Sequence, residues 1–249
     1  MFLSIFVMRL DVYLADASMV DSRTDAKNFI LAGAVTVNGK VVNKPSFDVD
    51  GSEEISVDKS GKRFVSRGGL KLEAALDGFG IDVNGVRAID IGASSGGFTD
   101  CLLKRGACSV IAVDSGYGQM VESLRCDSRV TVIENYNARY MSPSDFEYAP
   151  GLAVMDVSFI SAKLIVPAVS NILASGGQFV CLIKPQFEVG RGGLNKKGIV
   201  KSEELRKRAV NDVVSFAECS GFSLLGLMES PIIGGDGNVE YLAHFRKEN

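Results

Sequence analysis

Residues 86–98 read Val86-Arg-Ala-Ile-Asp-Ile-Gly-Ala-Ser-Ser-Gly-Gly-Phe98. A short apolar strand carries Asp90 near its end, and a turn rich in Gly and Ser then opens a helix near Gly96. Gly92, Gly96 and Gly97 lack Cβ atoms, so the backbone can turn sharply and a ligand can lie against it. The first N–H groups of a helix attract electronegative ligand atoms. The run therefore predicts a nucleotide-like cofactor site after the first strand of an α/β sheet.

Spacing narrows the cofactor. The dinucleotide fingerprint Gly-x-Gly-x-x-Gly seats a pyrophosphate. Here Ser94 replaces its second glycine, and no Gly-Lys-Ser/Thr follows for a nucleoside triphosphate. A second strand, Ser109-Val-Ile-Ala-Val-Asp114, ends in an acid placed to hold ribose hydroxyls. Ribose recognition without a phosphate cradle suits S-adenosylmethionine. The plainer alternative is an ordinary strand–helix turn with an exposed acid.

Outward from this run the pattern alternates. Helices are expected near 68–79, 97–105, 117–125, 161–174 and 202–219. Strands are expected at 86–91, 109–113, 129–133, 152–156, 177–184, 222–229 and 239–245. Such alternation implies a mostly parallel sheet covered by helices, with the last two strands forming an antiparallel edge hairpin. The fold class is α/β, a Rossmann-like sheet preceded by a small α+β domain. The expected boundaries are 8–57 for the small domain, 58–66 for a linker and 67–249 for the large domain. In the small domain, Ser22 would cap a helix ending before Gly33, and Asn38-Gly39 would turn a hairpin.

Composition excludes other classes. No apolar run approaches the roughly 20 residues that span a bilayer. The opening Met1–Met8 is apolar but short and lacks a basic lead, so it does not read as a signal peptide. Cys101, Cys108, Cys126, Cys181 and Cys219 form an odd set without metal spacing, so neither a disulfide framework nor a metal is expected. A reducing cytoplasm fits. The lone His244 lies in an apolar alternation and reads as structural. Net charge is −3, yet residues 59–71 carry Lys59, Lys62, Arg63, Arg67 and Lys71 with no acid. Residues 184–208 hold eight basic residues against Glu188, Glu203 and Glu204. These stretches could track a phosphate backbone or form a solvated charged surface.

In open α/β sheets, ligands sit beyond the carboxyl ends of the strands. Two further strands end in charge there: Leu152-Ala-Val-Met-Asp156 and Phe179-Val-Cys-Leu-Ile-Lys184. A charge at the end of a buried strand is costly unless paired, which marks Asp156 and Lys184 as functional. Lys71 and Glu240 are unremarkable by themselves.

The segment Arg9-Leu-Asp-x-Tyr-Leu through Ser22-Arg23, Gly33-x-Val-x-Val-Asn-Gly39 and Lys44-Pro45 resembles the S4 RNA-binding domain. The remainder resembles the FtsJ-like ribose 2′-O-methyltransferases, and the whole resembles the TlyA, or haemolysin A, family. The carrying strings are Ser66-Arg-Gly-Gly-x-Lys71-Leu, Asp90-Ile-Gly-Ala-Ser-x-Gly-Gly-Phe-Thr-Asp100, Asp156-Val-Ser-Phe-Ile-Ser161, Leu182-Ile-Lys-Pro-Gln-Phe-Glu188 and Gly237-Asn-Val-Glu-Tyr-Leu242.

The resemblance implies methyl transfer from S-adenosylmethionine to the 2′-hydroxyl of a ribosomal RNA nucleotide, often a cytidine, by a Lys71–Asp156–Lys184–Glu240 tetrad. Asp90, Gly92, Ala93, Ser94, Gly96, Gly97 and Phe98 would line the methionine side of the cofactor. Asp114 would hold its ribose, Asn137 would lie near adenine, and Asp156 would close the site. Expected RNA contacts are Arg9, Arg23, Lys27, Lys40, Lys44, Lys62, Arg63 and Arg67. Ribosomal RNA or ribosomal subunits are the expected partners, with no membrane insertion. The small domain is not basic, with five Lys/Arg against eight acids in residues 9–57. Two rivals are a membrane-active cytolysin, as the older family name has it, and an RNA-binding protein with an inactive enzyme domain.

Overall fold

The structure is a computed structural model and describes residues 7–20, 22–31, 33–58, 63–234 and 237–248. Lys62 and Met1–Phe6, which figured in the sequence reading, lie outside the described residues. The chain divides into two compact units, Met1–Leu70 and Lys71–Asn249.

The first unit comprises β1 (Met8–Arg9), α1 (Leu10–Asp16), α2 (Arg23–Leu31), β2 (Val35–Val37), β3 (Lys40–Val41), β4 (Asp48–Val49) and β5 (Ile55–Val57). Strand β2 pairs antiparallel with β3 and β5, and β1 pairs antiparallel with β4. Asn38 and Gly39 join β2 to β3 with φ of 50° and 74°, the left-handed pair that a twisted two-residue hairpin needs. Leu10 and Leu14 on α1, and Ala26 and Ile30 on α2, recur four residues apart. They bury one face of each helix against Val35, Val37 and Val49.

Then come α3 (Gly68–Phe79), β6 (Arg87–Ile91), α4 (Gly97–Lys104), β7 (Ser109–Val113), α5 (Glu122–Arg125), β8 (Val130–Ile133) and β9 (Leu152–Met155). They are followed by α6 (Val166–Ile172), β10 (Gln178–Ile183), α7 (Glu203–Cys219), β11 (Phe222–Glu229) and β12 (Tyr241–Lys247). Strands β6 to β12 build one seven-stranded sheet in the order β11-β12-β10-β9-β6-β7-β8. From β6 the chain steps outward to β7 and β8, then returns to β9 on the other side of β6. The site is expected at that reversal. Leu152–Met155 and Phe179–Ile183 are buried throughout, as strands covered on both faces must be.

The sheet is α/β and mostly parallel, with its antiparallel pairs at one side. β12 lies between β10 and β11 and is antiparallel to both. Two expected helices are shorter than the spacing predicted. Residues 117–125 are helical only over Glu122–Arg125, because Gly118 has φ 68° and the Asp114 carboxylate holds the Gly116 N–H. Residues 161–174 divide into a 3-10 turn, Ala162–Leu164, and α6, with Pro167 in the first turn of the α-helix. The two-residue strands β1 and β4 carry no sequence periodicity and were not foreseen.

Candidate active site

The turn after β6 sits tightly against the end of β9. Gly92 has φ 84°, and a Cβ there would lie 2.4 Å from the Asp156 carbonyl oxygen. Gly96 has φ 96°, and a Cβ would meet Leu124 Cδ1 at 2.3 Å. Only glycine tolerates both the left-handed backbone and the contact. Gly92 and Gly96 are thus explained by packing, the one against the end of β9 and the other against α5.

Beneath the turn, Asp90 is fully buried. Its Oδ2 accepts from Thr99 N at 2.9 Å and Thr99 Oγ1 at 2.7 Å, while Oδ1 has no partner. Burial pushes its carboxyl up to about 7, against the Thr99 hydrogen bonds, with the charges of Asp156 and Asp114 adding to the rise. A carboxylate in this state favours a cationic neighbour. Ala93, Gly96, Gly97 and Phe98 are also buried.

At the end of β7, Asp114 Oδ2 accepts from Ser94 N at 2.8 Å and Oδ1 from Gly116 N at 2.7 Å. This acid therefore ties the two turns together. Gly92, Ser94, Asp114, Asn137 and Asp156 all line one cavity of 370 Å³. Its wall also includes Gln119, Tyr136, Val157, Ser158 and Phe159, which the sequence reading did not assign. The volume falls within the ~300–1,000 Å³ of small-molecule sites.

The four expected catalytic residues form two ion pairs. Lys184 Nζ lies 2.6 Å from Asp156 Oδ1 and donates to Ser158 Oγ at 2.7 Å. Lys71 Nζ, on α3, donates to Glu240 Oε2 at 2.5 Å, with both side chains almost wholly buried. Ile183 pairs with Tyr241 across β10 and β12, so the next residues out, Lys184 and Glu240, are neighbours at one sheet edge. Chain order gave no hint of this: Lys71 and Glu240 are 169 residues apart.

Phe159 is 92 % exposed, has φ 64° and packs its ring 5.2 Å from that of Phe187. A bulky aromatic in the left-handed region is unusual, and its surroundings must hold it there. The one available signal was its place inside Asp156-Val-Ser-Phe-Ile-Ser161. His244, by contrast, is buried against Phe79 and bonded through Nε2 to Gln178 Oε1, a packing role.

In the first unit, Arg9 Nε and Nη2 donate to the two oxygens of Asp11, and Arg23 Nε donates to Asp11 Oδ2 at 3.3 Å. Asp11 is buried, and Arg9 leads the interactions that hold its carboxyl below the usual range. Lys27, Lys40, Lys44 and Arg63 are exposed, while Arg67 is half-buried. Among the described residues no cluster of His, Cys, Asp and Glu is arranged for a metal, and no helix is long and apolar enough to cross a membrane. The five cysteines are free thiols.

The cavity at the sheet's reversal point, the acid at the end of β7 and the two ammonium–carboxylate pairs suit a Rossmann-like methyltransferase. Residues 64–247 match the model of the FtsJ-like methyltransferases and residues 8–55 that of the S4 domain. The chain belongs to the FtsJ-like methyltransferase family and carries an S4 domain ahead of the enzyme domain. It is 41% identical to the 16S/23S rRNA (cytidine-2′-O)-methyltransferase TlyA of Mycobacterium tuberculosis, over 96% of this chain and 90% of that one. Hemolysin A of Brachyspira hyodysenteriae is 44% identical over 96% of this chain and 99% of its own. A solved hemolysin-type structure from Streptococcus thermophilus is 45% identical with a TM-score of 0.75, covering 99% of this chain and 90% of that one.

Proposed function

We propose that this protein transfers a methyl group from S-adenosylmethionine to the 2′-hydroxyl of a ribosomal RNA nucleotide, a cytidine of either subunit, in the cytoplasm. The Asp156–Lys184 pair carries this reading, because Asp156 lines the cavity that also contains Asp114 and holds Lys184 Nζ beside it. The relatives' activity and the S4 domain support RNA as the acceptor.

The residues fit the donor. Asp114 has the position of a ribose-binding acid, Asn137 and Tyr136 border the same cavity, and Gly92 leaves the wall open beside Asp156. The unpartnered Asp90 oxygen suits the donor's ammonium group. Ala93, Gly96, Gly97 and Phe98 shape the turn from below. When bound, S-adenosylmethionine supplies an electrophilic methyl group on a sulfonium.

The acceptor is the harder partner, since a sugar hydroxyl is scarcely ionised at neutral pH. An ordinary lysine, with a pKa of about 10.4, is itself protonated there. Lys184 orients or deprotonates the hydroxyl, with Asp156 and Ser158 fixing its Nζ. Lys71 and Glu240, locked together one strand away, frame the nucleotide. Transfer is an in-line displacement, so this positioning supplies much of the acceleration. Phe159 offers an exposed face against which an unstacked base can lie. Arg9, Arg23, Lys27, Lys40, Lys44, Lys62, Arg63 and Arg67 are the proposed phosphate contacts.

The test is 2′-O-methylation of ribosomal RNA by Lys184→Ala, with cofactor affinity measured in parallel. Loss of methylation with cofactor affinity retained is expected. Undiminished turnover removes Lys184 from the mechanism.

A further inference from the structure

The loops after β9 and β10 leave the same edge of the sheet, since the two strands are adjacent and parallel. They are cross-linked at three levels. Ser158 Oγ accepts from Lys184 Nζ at 2.7 Å. The Phe159 and Phe187 rings pack with centroids 5.2 Å apart. Glu188 accepts from Ser161 Oγ at 2.6 Å through Oε2 and from Ala162 N at 2.7 Å through Oε1.

Both Glu188 oxygens are thus committed to one short segment, 161–162, which starts the 3-10 turn ahead of α6. A carboxylate that receives a backbone N–H and a hydroxyl makes charge-assisted bonds, stronger than neutral ones. They pin the far end of a loop whose near end is pinned by the Asp156 N–H, which donates to the Ile91 carbonyl at 3.0 Å. Between those pins lie Val157, Ser158, Phe159 and Ile160, all on the cavity wall. With φ of 64° at Phe159, this segment holds a conformation that local preferences alone do not select.

We infer that Glu188 is a positioning residue for methyl transfer: by clamping Ser161 and Ala162 it sets the 157–160 segment, and through the Ser158 hydroxyl it sets Lys184 Nζ. This rests on the proposed role of Lys184. Glu188 acts at a distance, because both of its oxygens are taken up by the loop after β9. It follows Lys184 by four positions, so one loop supplies both the ammonium group and the clamp that fixes that group's acceptor.

The experiment is a double-mutant cycle on the full-length protein, using S-adenosylmethionine and ribosomal RNA. Glu188→Ala and Ser158→Ala should each lower kcat by about tenfold, since small misplacements of reacting groups are costly. The double variant should lose no more than about twofold beyond the larger single loss, because the two residues act in one chain of contacts. Glu188→Gln should recover most of the loss, as its amide oxygen can still accept from Ala162 N and its NH₂ can still donate to Ser161. A purely structural role would give additive losses and no rescue by glutamine. Hydrogen exchange at the Ala162 amide should quicken in Glu188→Ala. Wild-type kcat in Glu188→Ala, or a double loss equal to the product of the singles, overturns the inference. Failure of the Lys184 reading shows separately, as turnover surviving in Lys184→Ala.

Discussion

The carbonyl oxygen of Asp156 occupies the space that a side chain on Gly92 would need, 2.4 Å from the missing Cβ. One contact couples the cofactor turn to the strand end that presents the Asp156–Lys184 pair. Gly92→Ala should therefore damage donor binding and catalysis together. Left-handed strain of ~1–3 kcal/mol comes in addition to the clash. Calorimetric titration should show at least a tenfold loss of S-adenosylmethionine affinity, and unchanged affinity would show that the two strand ends are not coupled.

Lys71 and Glu240 form a buried pair, with 11% and 4% of their side-chain surface exposed. Removing one partner leaves an uncompensated charge, which costs about 3–5 kcal/mol. Glu240→Leu should thus lower the unfolding midpoint steeply, and Lys71→Met with Glu240→Leu should restore much of it. Methylation should be absent from both. A double variant no more stable than the single would show that the charges are not coupled.

Asp90 titrates near 7 in the folded protein, well above an unfolded aspartate. Its folded pKa is raised, so the native state holds a proton that the unfolded chain has released between about pH 4 and 7. That contribution to stability is present at low pH and lost as pH rises through 7. The stability of wild type minus that of Asp90→Asn should fall by a few kcal/mol across this window and level off above it. A flat difference would mean that Asp90 is not buried as described. Donor binding should favour the ionised form and strengthen from pH 6 to pH 8.

Asp11 joins Arg9 and Arg23 into one cationic cluster of the S4 unit. If each arginine meets a phosphate, Arg23→Ala should reduce the slope of log affinity against log salt by about one. Filter binding to ribosomal RNA fragments would measure it, with donor affinity unaltered. An unchanged slope would exclude Arg23 from the RNA interface.

Much of this protein was legible in the chain. Local chemistry sets the Asn38-Gly39 turn, the glycine run at 92–97 and the alternation of apolar segments, so the α/β sheet could be read directly. Asp156 and Lys184 were conspicuous for a physical reason: charge at the end of a buried strand needs a partner. Helix lengths around 117–125 and 161–174 were misjudged, because Gly118 and Pro167 act through backbone geometry that periodicity does not register.

Long-range pairing lay beyond the sequence. Apart from the family resemblance, residues 71 and 240 read as ordinary surface charges, and only the sheet order, with β12 beside β10, shows that they pair. The Glu188 clamp and the backbone of Phe159 belong to the same class. Local propensity reaches only a few residues along the chain. Which loops share a sheet edge is decided by packing across it, and there the site is assembled.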